Sequence, residues 1–199
     1  MATPGNDAQA FIRSCLQETA RVHTQLAGQP LEIIVKASEA MAKALRAGHK
    51  IIWFGNGGSA TQSQHMAAEF VGRFGKDRRS LASISLTENM ASVTAIANDY
   101  SYELLFARQL EGLGQAGDVA IGLSTSGSSK NVLAALQKAK ELRIITIGLT
   151  GASAEKMRAL CDLTISVPSS ETARIQEAHL TIGHALCALV EAAVAPPAP

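Results

Sequence analysis

Five short apolar runs punctuate the chain after Gly48: Ile51 to Phe54, Leu81 to Leu86, Val119 to Leu123, Ile144 to Leu149 and Leu163 to Val167. All are too short for an ordinary helix and are closed by turn formers such as Gly, Ser and Asn, so each reads as a strand buried on both faces. Helical stretches separate them, near residues 60–70, 90–97, 104–112, 130–142 and 154–160. Strands alternating with helices in this way close into a parallel sheet covered on both sides. The expected fold is α/β, a five-stranded parallel sheet flanked by helices on both faces.

Two helices precede the first strand. From Ala8 to Leu26 apolar residues recur at Phe11, Ile12, Cys15, Leu16, Val22 and Leu26, the spacing of one helical face, and a second such run extends from Leu31 to Leu45. The last helix, Glu171 to Val194, is apolar on most sides and must be covered by the domain or by a second subunit. With 199 residues and no repeat or linker to divide them, the chain is expected to form one domain over residues 1–194. The Ala-Pro-Pro-Ala-Pro tail at 195–199 cannot continue a helix and is expected to be disordered.

Charge and composition narrow the function classes. Lys plus Arg (18) nearly balances Asp plus Glu (17), and no aromatic residues interleave with basic ones, so neither bulk electrostatics nor a stacking platform supports nucleic-acid binding. The first residues lack a basic, apolar leader, and no uncharged apolar run reaches the ~18 residues of a membrane span, so a cytoplasmic protein is expected. Cys15, Cys161 and Cys187 are far apart and form no C-x-x-C, so all three read as inert and buried. Charged residues make up 18%, against a usual ~25%, which leaves little charge to cover a monomer and favours an oligomer.

Ligands of a parallel α/β sheet gather at the carboxyl ends of its strands. Gly55-Asn56-Gly57-Gly58-Ser59 follows the first strand, a glycine-rich turn with exposed N–H groups and Ser59 as a candidate helix cap. Ser124-Thr125-Ser126-Gly127-Ser128-Ser129 follows the third, five hydroxyls around one glycine at the start of a helix. Backbone N–H groups, hydroxyls and the positive end of a helix dipole together suit a phosphate. Either loop alone also reads as a capped turn, and neither fits a nucleotide fingerprint, so a phosphorylated small molecule is the expected ligand.

His65 and Glu69 are four apart on one helical face, a spacing that serves a metal chelate or a plain surface hydrogen bond. The last helix offers Gln176, Glu177, His179 and His184. At ~100° per residue Gln176 lies about 80° from His184 and about 60° from His179, so periodicity does not choose between the histidines. A buried polar network serves as well as a site.

In combination, G-N-G-G-S-A (55–60), Q-H-M-A-A-E-F (64–70), A-N-D-Y (97–100), G-D-V-A-I-G-L-S-T-S-G-S-S-K-N (117–131) and R-I-Q-E-A-H-L-T-I-G-H (174–184) resemble the phosphoheptose isomerases of the sugar isomerase (SIS) superfamily. The resemblance runs from the first helix to Glu191. It implies an αβα sandwich and a homotetramer with active sites between subunits. The implied reaction converts sedoheptulose 7-phosphate to D-glycero-D-manno-heptose 7-phosphate, the first step towards the heptoses of bacterial lipopolysaccharide and capsule. Carried over by position, one Zn2+ per site is held by His65, Glu69, Gln176 and His184, which leaves His179 structural. The implied phosphate contacts are Ser124, Thr125, Ser126 and Ser129 with Ser59 nearby, and the other substrate contacts Asn56, Gly57, Gly58, Asn98 and Asp99.

The implied chemistry assigns Glu69 as base and His184 as partner acid. A metal-bound carboxylate is a weaker base than a free one, so one of the two has to loosen during turnover. Gln62 and Asn89 stand where the family often has Asp, and a glutamine cannot ionise in its place. A non-catalytic SIS protein that binds the bacterial replication initiator also resembles the chain, but lacks the Glu and terminal-helix His present here as Glu69 and His184. Sugar-phosphate-sensing regulators of the superfamily usually carry a helix-turn-helix module, for which no residues remain.

Overall fold

The structure, a computed structural model, describes residues 7–194, so the tail expected to be disordered lies outside the described residues. Its elements are α1 (Ala8–Ala27), α2 (Glu32–Arg46), β1 (Ile51–Gly55), α3 (Gly58–Val71), β2 (Ser83–Ser85) and α4 (Met90–Asp99). A 3-10 turn (Tyr102–Leu104) leads into α5 (Leu105–Leu113), then β3 (Val119–Ser124), α6 (Lys130–Glu141), β4 (Ile145–Thr150), α7 (Glu155–Arg158), β5 (Leu163–Ser166) and α8 (Thr172–Val194). The five strands form one parallel sheet in the order β2-β1-β3-β4-β5.

Side chains of β1 alternate between two cores, as a strand buried on both faces requires. Ile51 and Trp53 join Met41 of α2, Phe70 of α3 and Leu186 of α8 on one side; Ile52 and Phe54 meet Phe106 of α5 and Leu136 of α6 on the other. The chain runs from β1 outward to β2 and then back across the sheet to β3. The switch point therefore lies between the carboxyl ends of β1 and β3, which are in register with Gly55 beside Leu123. The glycine loop and the serine loop leave the sheet side by side at that crevice.

Several boundaries differ from the sequence expectation. β2 has three residues rather than six, because as an edge strand it pairs only with β1, although Leu81 and Leu86 at its flanks are buried. Of the apolar stripe on α1 only Val22 and Leu26 are buried, while Ile12 and Leu16 are more than half exposed. The middle of α1 is held instead by polar contacts: Arg174 of α8 donates to the Cys15 carbonyl (2.7 Å) and to Thr19 Oγ1, and Thr19 donates to Glu177 (2.8 Å). Cys187 is buried, whereas Cys15 and Cys161 are only partly so.

Candidate active site at the carboxyl ends of β1 and β3

α3 and α8 run parallel along one face of the sheet, and their seam carries the polar residues of both. At its start Gln62 Nε2 donates to the Gln176 carbonyl (2.6 Å), and the Gln176 side-chain amide packs on Gly58. Further along, His184 meets His65 with the two Nε2 atoms 3.0 Å apart, and His65 Nε2 lies 3.4 Å from Glu69 Oε1. One donor atom from each of His65, Glu69 and His184 falls within 4.8 Å of the others. Around a tetrahedral ion with metal–nitrogen bonds of about 2.0–2.1 Å, donors stand about 3.3 Å apart, so two imidazoles and a carboxylate at these separations suit one divalent metal. The His65 side chain is 45% exposed, so the group is open to solvent on one side of the chain.

The α3–α8 seam continues past these three residues. Phe74, in the connection after α3, lies with its ring centroid 5.5 Å from that of His184. Arg78 and Glu191 form an ion pair of 2.9 Å, both side chains almost wholly buried. Burial acts to raise the Glu191 pKa, but the backbone N–H groups of Gly75 and Lys76 and the Arg78 charge outweigh it and hold the carboxyl below its ordinary value. His179 faces the sheet with Nε2 3.3 Å from the Thr150 carbonyl; burial lowers its pKa to about 4, so the ring is neutral at pH 7.

The serine side chains of the loop bond mainly to one another. Ser124 Oγ lies 2.9 Å from Ser129 Oγ, Ser128 Oγ donates to Ser126 Oγ (3.0 Å), and the N–H of Ser129 points back at Ser124 Oγ (3.4 Å). Gly127 turns the loop with φ +65°, and a Cβ there would lie 2.1 Å from the Ser153 carbonyl oxygen, so no other residue fits. Ser129 is the N-cap of α6 but spends no side-chain hydrogen bond on the helix, which leaves its hydroxyl and the helix amides available to an anion. The two loops are bonded together: Asn56 and Asn131 exchange amide hydrogen bonds of 2.8 Å each, and the Tyr102 hydroxyl donates to Asn56 Oδ1 (2.9 Å). A cavity of about 390 Å³ lies beside them, lined by Asn56, Tyr102, Ser129 and Asn131 among others.

Residues 15–151 match the SIS domain family. The chain is 48% identical to the phosphoheptose isomerase of Thermodesulfovibrio yellowstonii over 90% of each chain. It is 55% identical to phosphoheptose isomerase 2 of Campylobacter jejuni over 81% of this chain and 80% of that one. The chain belongs to the phosphoheptose isomerase family. Among solved structures, the phosphoheptose isomerase of Neisseria gonorrhoeae superposes with a TM-score of 0.89 at 38% identity, over 94% of this chain and all of that one. The αβα architecture of this phosphoheptose isomerase family member is thus the one its sequence motifs imply.

Of the residues singled out in the sequence, the fold brings His65, Glu69 and His184 together and gathers Ser124, Thr125, Ser126 and Ser129 on one turn beside Asn56. Gln176 shares the seam but sits at its Gly58 end. Gly57 is the N-cap of α3, so Ser59 lies inside the first turn, buried, rather than capping it. Asn98 and Asp99 end α4, exposed and bonded to one another (2.8 Å), with no hydrogen bond to either loop among the described residues. Asn89 caps α4 by accepting from the Ser92 N–H, a role that Asp fills equally well. Gln62 donates to a carbonyl, which a carboxylate cannot do, while its Oε1 is buried without a partner among the described residues.

Sequence reasoning missed Phe74, Tyr102, Asn131, Arg78 and Glu191. Arg78 is hidden in a run of basic residues that reads as a solvated loop, and only Glu191, an acid on the apolar terminal helix, carried a visible signal.

Proposed function

We propose that this chain is a sedoheptulose 7-phosphate isomerase that forms D-glycero-D-manno-heptose 7-phosphate, in the cytoplasm, as the first step of bacterial heptose biosynthesis for lipopolysaccharide or capsule. The convergence of His65, Glu69 and His184 on one seam, together with an anion-ready serine loop at the carboxyl end of β3, supports this reading most strongly. The ligands of one Zn2+ are His65, Glu69, Gln176 and His184. Zinc supplies Lewis acidity, which makes the carbon next to a carbonyl more acidic.

The substrate's phosphate docks on the hydroxyls of Ser124, Thr125, Ser126 and Ser129 and on the first amides of α6, with Ser59 nearby. Asn56, held by Asn131 and Tyr102, and the backbone of Gly57 and Gly58 line the sugar chain between phosphate and metal end, with Asn98 and Asp99 at its margin. Glu69 removes a proton from C1 of the ketose, the C1–H electron pair forms the C1=C2 bond of an enediol, and the C2 oxygen gains a proton. His184 is the partner acid in this exchange. Return of a proton to C2 and loss of the O1 proton complete the aldose, so no oxidant enters or leaves.

The active unit is a homotetramer with its sites at subunit interfaces and no nucleic-acid or membrane partner, formed by single SIS domains spanning residues 1–194. The open side of His65 and the exposed Ile12 and Leu16 of α1 support a covering subunit. No helix among the described residues is long and apolar enough to cross a membrane. The deciding experiment gives purified protein sedoheptulose 7-phosphate with and without zinc and couples the product to a heptose 7-phosphate kinase. Product that is lost on chelation and restored by zinc is expected. No product from folded, zinc-loaded protein would overturn the assignment.

A further inference from the structure

The nine residues between α3 and the flank of β2, from Gly72 to Ser80, form no helix or strand, and nearly all are exposed. Arg78 is the exception, its side chain only 3% exposed. Its Nη2 donates to the carbonyl of Glu69 (2.9 Å) and its Nη1 to those of Phe70 (2.9 Å), Gly72 (3.1 Å) and Arg79 (3.1 Å). These include carbonyls that the end of α3 leaves without helical partners, so the guanidinium is the cap of that helix.

On its other side Arg78 pairs with Glu191, whose second oxygen accepts the N–H groups of Gly75 (2.7 Å) and Lys76 (3.2 Å). Glu191 comes seven residues after His184 on α8, about two turns, and so projects from the same face. The same loop, pinned at Gly75, Lys76 and Arg78, carries Phe74 onto the His184 ring.

A desolvated ion pair is weak evidence of stability in itself, because removing both charges from water costs about what their attraction returns. What this pair does is geometric. It joins the backbone of one metal-donor residue, Glu69, to the helix face that bears another, His184, at the end of the α3–α8 seam away from the Gln62–Gln176 hydrogen bond. We propose that Arg78 and Glu191 are the positioning pair of the metal centre: they set the spacing of Glu69 and His184 and press Phe74 on the His184 ring, and metal affinity depends on them. The proposal rests on the reading of His65, Glu69 and His184 as metal ligands.

The test compares full-length wild type with Arg78→Lys, Glu191→Gln and Phe74→Ala, and with Asp118→Asn as control. Asp118 is wholly buried and paired with Lys50 at the opposite end of the sheet, so its loss destabilises the fold without touching the seam. Zinc affinity is read by competition with a chromophoric chelator, and donor geometry by the visible absorption of the cobalt(II)-substituted protein.

Arg78→Lys and Glu191→Gln are expected to weaken zinc binding about 10- to 100-fold and to change the cobalt spectrum, as loss of groups that orient metal ligands does. Asp118→Asn should do neither, and Phe74→Ala should weaken binding a few-fold. Folded Arg78 and Glu191 variants with wild-type affinity and spectrum would overturn the pairing role, as would equal loss in the Asp118 control. Should both clamp variants fail to fold, Phe74→Ala decides alone, because its partly exposed ring can be removed without opening the core: unchanged affinity overturns the proposal. Wild type that binds no zinc would overturn the metal reading first, a result distinct from wild type that binds and variants that bind equally.

Discussion

The serine loop and the α3–α8 seam are assembled in opposite ways. Six consecutive residues make the loop, and the hydrogen bonds of its serine side chains span five positions or fewer. The seam brings His65 to His184 across 119 positions and Gly75 to Glu191 across 116. A local site is specified by turn chemistry and survives as long as its strand and helix exist, whereas a seam depends on the packing of two long helices. Substitutions in the loop should therefore weaken phosphate binding and little else, while those in the seam should strike chemistry, metal and stability together.

The largest effect is expected at Glu69. Glu69→Gln keeps the size and polarity of the side chain but removes the charge and the base, so turnover should fall about 10²- to 10⁴-fold. The oligomeric state, read by sedimentation, should not change. Activity within a few-fold of wild type in a zinc-loaded Glu69→Gln protein would break the assignment of the seam as the reacting end. His184→Ala should be as severe, and both contrast with the next position.

His179 separates chemistry from packing on the same helix, and here stability rather than rate should respond. It lies on the sheet side of α8, buried, with Nδ1 unpartnered among the described residues, and its pKa is lowered to about 4 from 6.5. A folded-state pKa below the unfolded one means that the unfolded chain binds the proton first as pH falls. The stabilisation of the neutral ring is thus complete above about pH 6.5 and is lost progressively as pH falls towards 4, amounting to about 2 kcal/mol by pH 5. Urea unfolding at pH 7.5 and pH 5 should show that loss in wild type and a loss smaller by about that amount in His179→Gln. Zinc binding and turnover at pH 7.5 should change far less than in His184→Ala, and the reverse order would move the metal site to His179.

The same contrast explains what the sequence made legible. The strands, their order of appearance and the serine loop follow from patterns within a dozen residues, and the structure agrees with them apart from the shortened β2 and the one-turn α7. His65 and Glu69 were readable as a pair because helical periodicity is local. The choice of His184 over His179 was not readable from angles, since both lie within reach of Gln176 on a projection. It turns on which face α8 shows to α3 and which to the sheet, a property of tertiary packing. Arg78 and Glu191 were hidden for the same reason: an arginine in a basic loop carries no mark of burial until a second helix, over 100 residues away, supplies its partner.

Ser129 should show the smallest effect and the cleanest one. Its hydroxyl bonds Ser124 (2.9 Å) and makes no capping bond to α6, so Ser129→Ala leaves the helix amides in place and removes one of several phosphate donors. A hydrogen bond to a charged group is worth about 1.5–3 kcal/mol, but Ser124, Ser126 and the backbone N–H groups partly take over, so the expected rise in KM is about tenfold at nearly constant kcat. Zinc stoichiometry and thermal midpoint should match wild type, because among the described residues this side chain's hydrogen bond stays within the loop. A large fall in kcat with KM unchanged would mean that the loop acts on the reacting carbons rather than on the phosphate, and the division of labour between the two regions would fail.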